Sequence, residues 1–533
     1  VHPCLLQHHL GNPYLVRIRG APPGKLPSVG VVPGEKASSA AHGAESIRAD
    51  DPSRYDPLAM RKLLIIFVVL ILIAAVGIVI GIMMLSDTPS LSGPTVLSWH
   101  LDSRLLDYSP GPELPWGADQ AEASLATIYK ALVSAREDPD VEGLAITVHN
   151  ARFGLAKSQQ IHRLLTAFSA AGKFVDCYLE TAGEGTNGTI AYYVATACDT
   201  VRLAPGGDLN LLGLHADAMF LRGTFDKLKI EPDFVHIGKY KSAVESYTHH
   251  EHSPEAREAL EALLDDFYDQ IVAAIAESRQ FDEDRVRELV DGAPYTSVEA
   301  LENGLVDELS YRDEFEDALE ERVGSTPQYL RLESYDSDRH WSRGKRIAVL
   351  FAQGSIRRGG SGVDPWSGSI FIGSTDTSAY LRELAEDDSI AAVVLRIDSP
   401  GGSALASDLI LREVERLAEE KPVIVSMSDL AASGGYYIAA KAAKIVAEEA
   451  TITGSIGVFG GKLVTRQFEQ ELLGISHDPI KRGANADIYS SLEPFTPEQE
   501  ERVNALMGRV YDSFRQHVAS GRGMSFEQVE AVS

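Results

Sequence analysis

The chain has 533 residues, too many for one ordinary hydrophobic core, and 44% of them are hydrophobic, so two or more globular domains are expected. A formal net charge of −28 argues against a protein that wraps nucleic acid, which needs clustered cations on one face. The three cysteines, Cys4, Cys177 and Cys198, make neither a disulfide framework nor a metal knuckle. Cys177 in an apolar run and Cys198 at the end of a predicted helix read as buried free thiols, with a bridge between them as the alternative.

Residues 1–59 are rich in Pro, Gly, Ala and His, lack helical or strand periodicity, and read as a disordered leader or as the product of a start site assigned too far upstream. Met60, followed by RKLL and an apolar run, is how an exported bacterial protein begins. His2, Cys4, His8 and His9 are metal-ligand types, but no rigid element holds them and no metal is assigned. From Leu63 to Leu85 there are 23 residues without a charge, enough for a helix to cross a hydrocarbon core of about 30 Å. Residues 60–86 are therefore read as a transmembrane anchor. SDTPSLSG, just beyond, offers no convincing signal-peptide cleavage site. Arg61 and Lys62 abut its amino side and the next cation is Arg104, so the amino end is expected in the cytoplasm and everything after the helix outside it.

Beyond the anchor, strands alternate with helices, and the pattern then repeats, which predicts α/β units with largely parallel sheets. GKFVDCYLE followed by AYYVATACDTVRLAP parallels EKPVIVSMS followed by GYYIAAKAAKIVAEE, with Tyr192 and Tyr193 opposite Tyr436 and Tyr437. Two long helices also correspond, with Tyr268 opposite Tyr511. They open on Ser253-Pro254 and Thr496-Pro497, a cap followed by proline at the first position, and Gln499 completes a capping box in the second. Composition places the first repeat at 94–330, a polar linker at 331–345 and the second repeat at 346–533. Ser533 falls opposite Val290, so the second copy is expected to lack its carboxyl-terminal end.

The copies differ where chemistry would lie. In DLAASGGYY, Ser433 stands between a predicted strand, Val423–Met427, and a helix, followed by Gly434 and Gly435. Unpaired N–H groups there suit an attacking serine, although a serine in that place is also a good helix cap. The first half has Thr189-Ile190-Ala191 at these positions. Opposite the loop Asp398-Ser399-Pro400-Gly401-Gly402 it has Asn150-Ala151-Arg152-Phe153-Gly154. Conversely, Lys241 in GKYKSAVESY stands opposite Ala484. A serine hydroxyl needs a base, no histidine lies in a motif near Ser433, and a desolvated lysine can serve if it is neutral. Lys239 reads as a surface residue by contrast. His249, His250 and His252 read as a solvated loop rather than a metal site.

YKSAVE at 240–245, RIDSPGG at 396–402, SDLAASGGYYIA at 428–439 and TGSIGVFG at 453–460 stand in an order that resembles the long, tandem-repeat form of the bacterial signal peptide peptidase family, SppA or protease IV. These are membrane-anchored serine proteases of the Clp/crotonase-like superfamily. The resemblance implies that Lys241 is the general base and Ser433 the nucleophile, that Ser455 hydrogen-bonds the lysine, and that Gly434 and Gly401 supply oxyanion N–H groups. It further implies hydrophobic signal-peptide substrates, a homotetramer, no cofactor or nucleic acid, and a single-pass protein of the bacterial inner membrane with a periplasmic catalytic region. Two competing readings are a non-catalytic, membrane-anchored peptide-binding scaffold and an acyl-CoA-processing crotonase-like enzyme. Retention of Ser433 and Lys241 alone argues against the first, and the exported location against the second.

Overall fold

The computed structural model describes residues 15–16, 91, 93–101, 105–109, 124–149, 151–335, 337 and 344–533. The leader apart from Leu15–Val16, the anchor at 60–86, and residues 336 and 338–343 of the linker lie outside the described residues. Among the described residues no helix is long and apolar enough to cross a membrane.

In the first half, β1 (Thr95–Leu101), α1 (Leu125–Ala135), β2 (Val141–Val148), α2 (Leu155–Ser169), β3 (Phe174–Leu179), α3 (Thr189–Ala195) and β4 (Thr200–Leu203) alternate. The four strands pair in sequence order, each parallel to the next. Every residue of β3 is buried, as is all of β2 except Glu142, which is why these strands read as apolar runs rather than alternating patterns. The chain then leaves the sheet through β5 (Glu231–Ile237) and α4 (Pro254–Arg279). It returns as β6 (Glu308–Leu309) beside β4 and β7 (Gln328–Arg331) beside β1, both parallel. Trp99, Ile128, Ile146, Leu165 and Tyr192 lie at the centre of the core this sheet shares with its helices.

The second half continues with β8 (Arg346–Gln353), β9 (Ser355–Arg357), α5 (Ser374–Glu386), β10 (Ile390–Ser399), α6 (Ala404–Glu420), β11 (Val423–Ala432), α7 (Gly434–Ala439), β12 (Lys444–Val446), β13 (Ile452–Gly454), β14 (Val458–Val464) and α8 (Pro497–Arg522). β8, β10, β11 and β12 form a second parallel sheet in that order, and Leu15–Val16 pairs antiparallel with β8 at its edge. Leu395, Ile410, Val425 and Ile438 lie in its core. The capping signals act as predicted. Ser253 accepts from Ala256 N, and Thr496 with Gln499 closes a reciprocal box at the start of α8. Both sheets, with Leu15–Val16 at the edge of the second, belong to one compact unit.

Two expectations are corrected. The strand before Ser433 does not end at Met427 but runs to Ala432, because Leu430–Ala432 find new partners in Ile452–Gly454. Cys177 and Cys198 are not free thiols; they form a disulfide whose Cα atoms are 5.8 Å apart. The register of β3 and β4 sets Val201 beside Cys177, which carries Cys198, three residues earlier, back to the same strand. Sequence periodicity has no access to that pairing.

Candidate active site

Ser433 occupies a strand–turn–helix elbow between β11 and α7, with φ 52° and ψ −116°, a backbone conformation that costs a non-glycine residue about 1–3 kcal/mol. Its side chain makes no capping hydrogen bond to α7, so it is not the cap that its position suggested. Its N–H donates to Gly454 O at 2.9 Å, which ties the elbow to the end of β13. Gly434 packs so close to α6 that a Cβ there would lie 2.5 Å from Ser407 Oγ. Glycine at 434 is thus required by packing on the neighbouring helix as much as by access. Thr189, the first-half counterpart of Ser433, is buried, and its hydroxyl accepts from Gly213 N at 3.0 Å.

Lys241 reaches this elbow from the other half. β5 and β14 form an antiparallel ribbon, Val458 opposite Ile237 through Val464 opposite Glu231. Lys241 follows β5 by four residues and Ser455 precedes β14 by three, so the ribbon brings them together. Lys241 Nζ donates to Ser455 Oγ at 2.9 Å and to Ser455 O at 3.0 Å. Ser455, at φ 50°, directly follows the Gly454 that receives the Ser433 N–H. The lysine stem packs where a Cβ on Gly457 would lie 3.0 Å from its Cβ and Cδ. Lys241 is buried, and burial lowers its pKa to about 8. Lys239 is exposed, and Ala484 lies in an exposed loop.

The glycine loop after β10 lies against the elbow: a Cβ on Gly401 would sit 2.4 Å from Gly434 N and 2.9 Å from Ser433 Cβ, and the φ of +89° at 401 and +155° at 402 are glycine conformations. Gly401 N donates to Ser399 Oγ at 3.1 Å, so this N–H, which the family resemblance assigns to an oxyanion, is already committed. Gly402 holds the neighbouring position in a bridge to Ile356, in which Ile356 N donates to Gly401 O and Ser403 N to Ile356 O. By contrast, the N–H groups of Gly402 and Gly434 make no turn, loop or cap hydrogen bond among the described residues. The His249–His252 loop is spread over separate partners: Thr248 hydroxyl for His249, Asp226 at 3.6 Å for His250 and the Phe220 ring for His252. Among the described residues no group of three or more His, Cys, Asp or Glu is placed to hold a metal ion.

The profile of Peptidase family S49 matches residues 180–326 and 415–533, which takes in both Lys241 and Ser433. Protease 4 of Salmonella typhi is 31% identical over 77% of this chain and 67% of its own length. The chain belongs to peptidase family S49. Serine protease SPPA, chloroplastic, of Arabidopsis thaliana is 34% identical to this S49 chain over 77% of it and 61% of the relative, and Protease 4 of Haemophilus influenzae is 30% identical over 76% and 66%. The chain therefore spans about two-thirds or less of the length of these relatives. Among solved structures a mutant ClpP1 of Listeria monocytogenes, 16% identical, covers 34% of the chain with a TM-score of 0.20, too slight a likeness to bear on the fold.

Sequence reasoning passed over Lys157, Asp398 and Asp429 as individuals. Lys157 Nζ lies 2.6 Å from Asp398 and 3.4 Å from Asp429. Burial alone would lower the Lys157 pKa, but the carboxylates of Asp107, Asp398 and Asp429 outweigh it and hold the ammonium charged. Burial pushes the Asp398 carboxyl up against the attraction of that ammonium. The available signal was a lone cation among Leu155, Ala156, Ser158 and Ile161, all buried on α2.

Proposed function

We propose that this S49 chain is a serine endopeptidase working through a Ser433–Lys241 dyad. The observation that carries the reading is a buried lysine, with its pKa lowered to about 8, hydrogen-bonded to Ser455, whose neighbour Gly454 accepts the N–H of Ser433, a strained serine that makes no capping bond. Neutral Lys241 takes the Ser433 proton as Ser433 Oγ attacks the scissile carbonyl. Ser455 orients the amine by accepting two of its hydrogen bonds. The N–H groups of Gly434 and Gly402, rather than Gly401, receive the oxyanion, each such donor being worth about 3–4 kcal/mol in comparable sites. Expulsion of the amine leaves an acyl-Ser433, and a water that gives its proton to Lys241 releases the acid.

The two halves read as tandem Clp/crotonase-like repeats that have divided the dyad, supported by the same order of parallel strands in both sheets. The charge-free run Leu63–Leu85 would anchor the chain in the bacterial inner membrane with this region on the periplasmic side. Substrates reached from such an anchor are apolar peptides released into the bilayer, cleaved signal peptides first among them, and resemblance to SppA suggests a homotetramer. The test is hydrolysis of an apolar fluorogenic peptide by the detergent-solubilised chain. Ser433→Ala and Lys241→Ala should each lower kcat by about 10³-fold or more. Substantial activity in either variant rules out the dyad.

A further inference from the structure

Lys157 is the third residue of α2 and only 4% exposed. A buried ammonium persists only if it is paired, and its partners here come from the other half of the chain, 241 residues away in the case of Asp398. Asp429 is held by more than charge. It accepts from Gly154 N at 3.0 Å and Lys157 N at 2.8 Å, so a carboxylate of β11 caps α2, whose own N-cap glycine has no side chain to do so.

The placement of these carboxylates matters. Asp398 lies three residues before Gly401, and Asp429 four residues before Ser433. Between them the β10–β11 ladder is irregular: Ile397 pairs with Met427, but the next pair is Ser399 with Ala431. One residue of β10 therefore faces three of β11 exactly where the strands diverge toward the glycine loop and the serine, and regular backbone bonding does not set their spacing there. Lys157 spans that gap. Behind it, Asp107 accepts from Arg396 Nη2 at 2.9 Å and Ser428 Oγ at 3.0 Å, further pinning β10 and β11 to the first half.

We propose that Lys157 is a positioning residue for the peptidase reaction: by bridging Asp398 and Asp429 across the β10–β11 bulge, it sets the spacing between the Gly401–Gly402 loop and Ser433. The oxyanion site then takes its working shape only when the second half is seated on α2 of the first. This rests on Ser433 being the nucleophile. Because the spacing matters most for the tetrahedral state, its loss should appear in kcat and not in KM.

The experiment uses the full chain with an apolar fluorogenic peptide, and a peptide boronate as a tetrahedral mimic. Lys157→Met should lower kcat by about 30-fold or more, leave KM within about twofold, and raise the boronate Ki by the same factor as kcat falls. Lys157→Arg, which keeps the charge, should recover part of the loss. Gly154→Ala keeps every charge but sets a methyl 2.5 Å from Asp429 Cγ, and should reduce kcat in the same direction. Wild-type kcat and Ki in folded Lys157→Met overturn the proposal, as does a loss confined to KM. If Lys157→Met does not fold, wild-type kcat in Gly154→Ala overturns it, and a reduced kcat with a matching rise in Ki sustains it. Ser433→Ala is the control: activity there defeats the nucleophile reading itself, whereas an inactive Ser433→Ala beside a fully active Lys157→Met defeats only the role of Lys157.

Discussion

Two buried lysines, Lys157 and Lys241, are driven in opposite directions by their neighbours. Lys157 faces carboxylates and stays charged; Lys241 donates to a hydroxyl and a carbonyl, which cannot offset burial, and its pKa is lowered to about 8. Since the neutral amine is the proposed base, kcat/KM should rise about tenfold per pH unit below 8 and level off above about 9. A flat profile between pH 6 and 9 rules Lys241 out as the base. The same shift bears on stability. Unfolded, the amine binds its proton up to about pH 10.4, whereas folded it releases it near 8, so the folded state is penalised below 8 and relieved as pH rises from 8 to 10.4. Lys241→Met should therefore stabilise the inactive protein at pH 7 by roughly 3 kcal/mol, at about 1.4 kcal/mol per pH unit, and the gain should shrink toward pH 10 in urea titrations. As candidates for the proposed dyad, Ser433 and Lys241 stand out in the sequence because each is missing from the other copy. The oxyanion role proposed for Gly402 does not stand out there, because choosing between two adjacent glycines depends on which N–H the Ser399 hydroxyl has taken.

At the level of elements, the parallel strands and the capped helices follow from local patterns. The β5–β14 ribbon does not, since it joins segments more than 200 residues apart and neither strand is fully buried. The late end of β11 escaped for the same reason: Leu430–Ala432 extend only because β13 returns beside them. Yet the ribbon is what brings Lys241 to Ser455. A Cβ at Gly461 would meet Asp233 O at 2.3 Å and Phe234 Cα at 2.6 Å, both backbone atoms that cannot turn aside. Gly461→Ala should thus separate β14 from β5 and carry Lys241 from Ser455, lowering kcat by about tenfold or more while the two sheet cores stay folded. Hydrogen exchange should quicken in 231–237 and 458–464 and remain slow in β2 and β10. Wild-type activity in this variant means that the ribbon is not what holds the base.

Across the whole molecule, one polypeptide supplies both the proposed base and the ribbon that brings it to the strand end bonded to the proposed nucleophile. β5 pairs with β14 of the same polypeptide, Lys241 with its Ser455, and Asp429 caps its own α2. An assembled homotetramer would place several such sites together without requiring that a site borrow its lysine from another subunit. That arrangement has a sharp consequence for mixing. Co-expressed Ser433→Ala and Lys241→Met chains each retain one half of the dyad, so sites shared across subunits would regain up to about a quarter of wild-type activity by random pairing, whereas sites closed within each chain regain none. We expect no recovery above the two variants measured separately, with co-purification of differently tagged chains confirming that mixed assemblies formed. Restored hydrolysis in those assemblies would mean that the Lys241 serving a given Ser433 is supplied by a neighbour, and that the in-chain ribbon is a packing contact rather than the frame of the site.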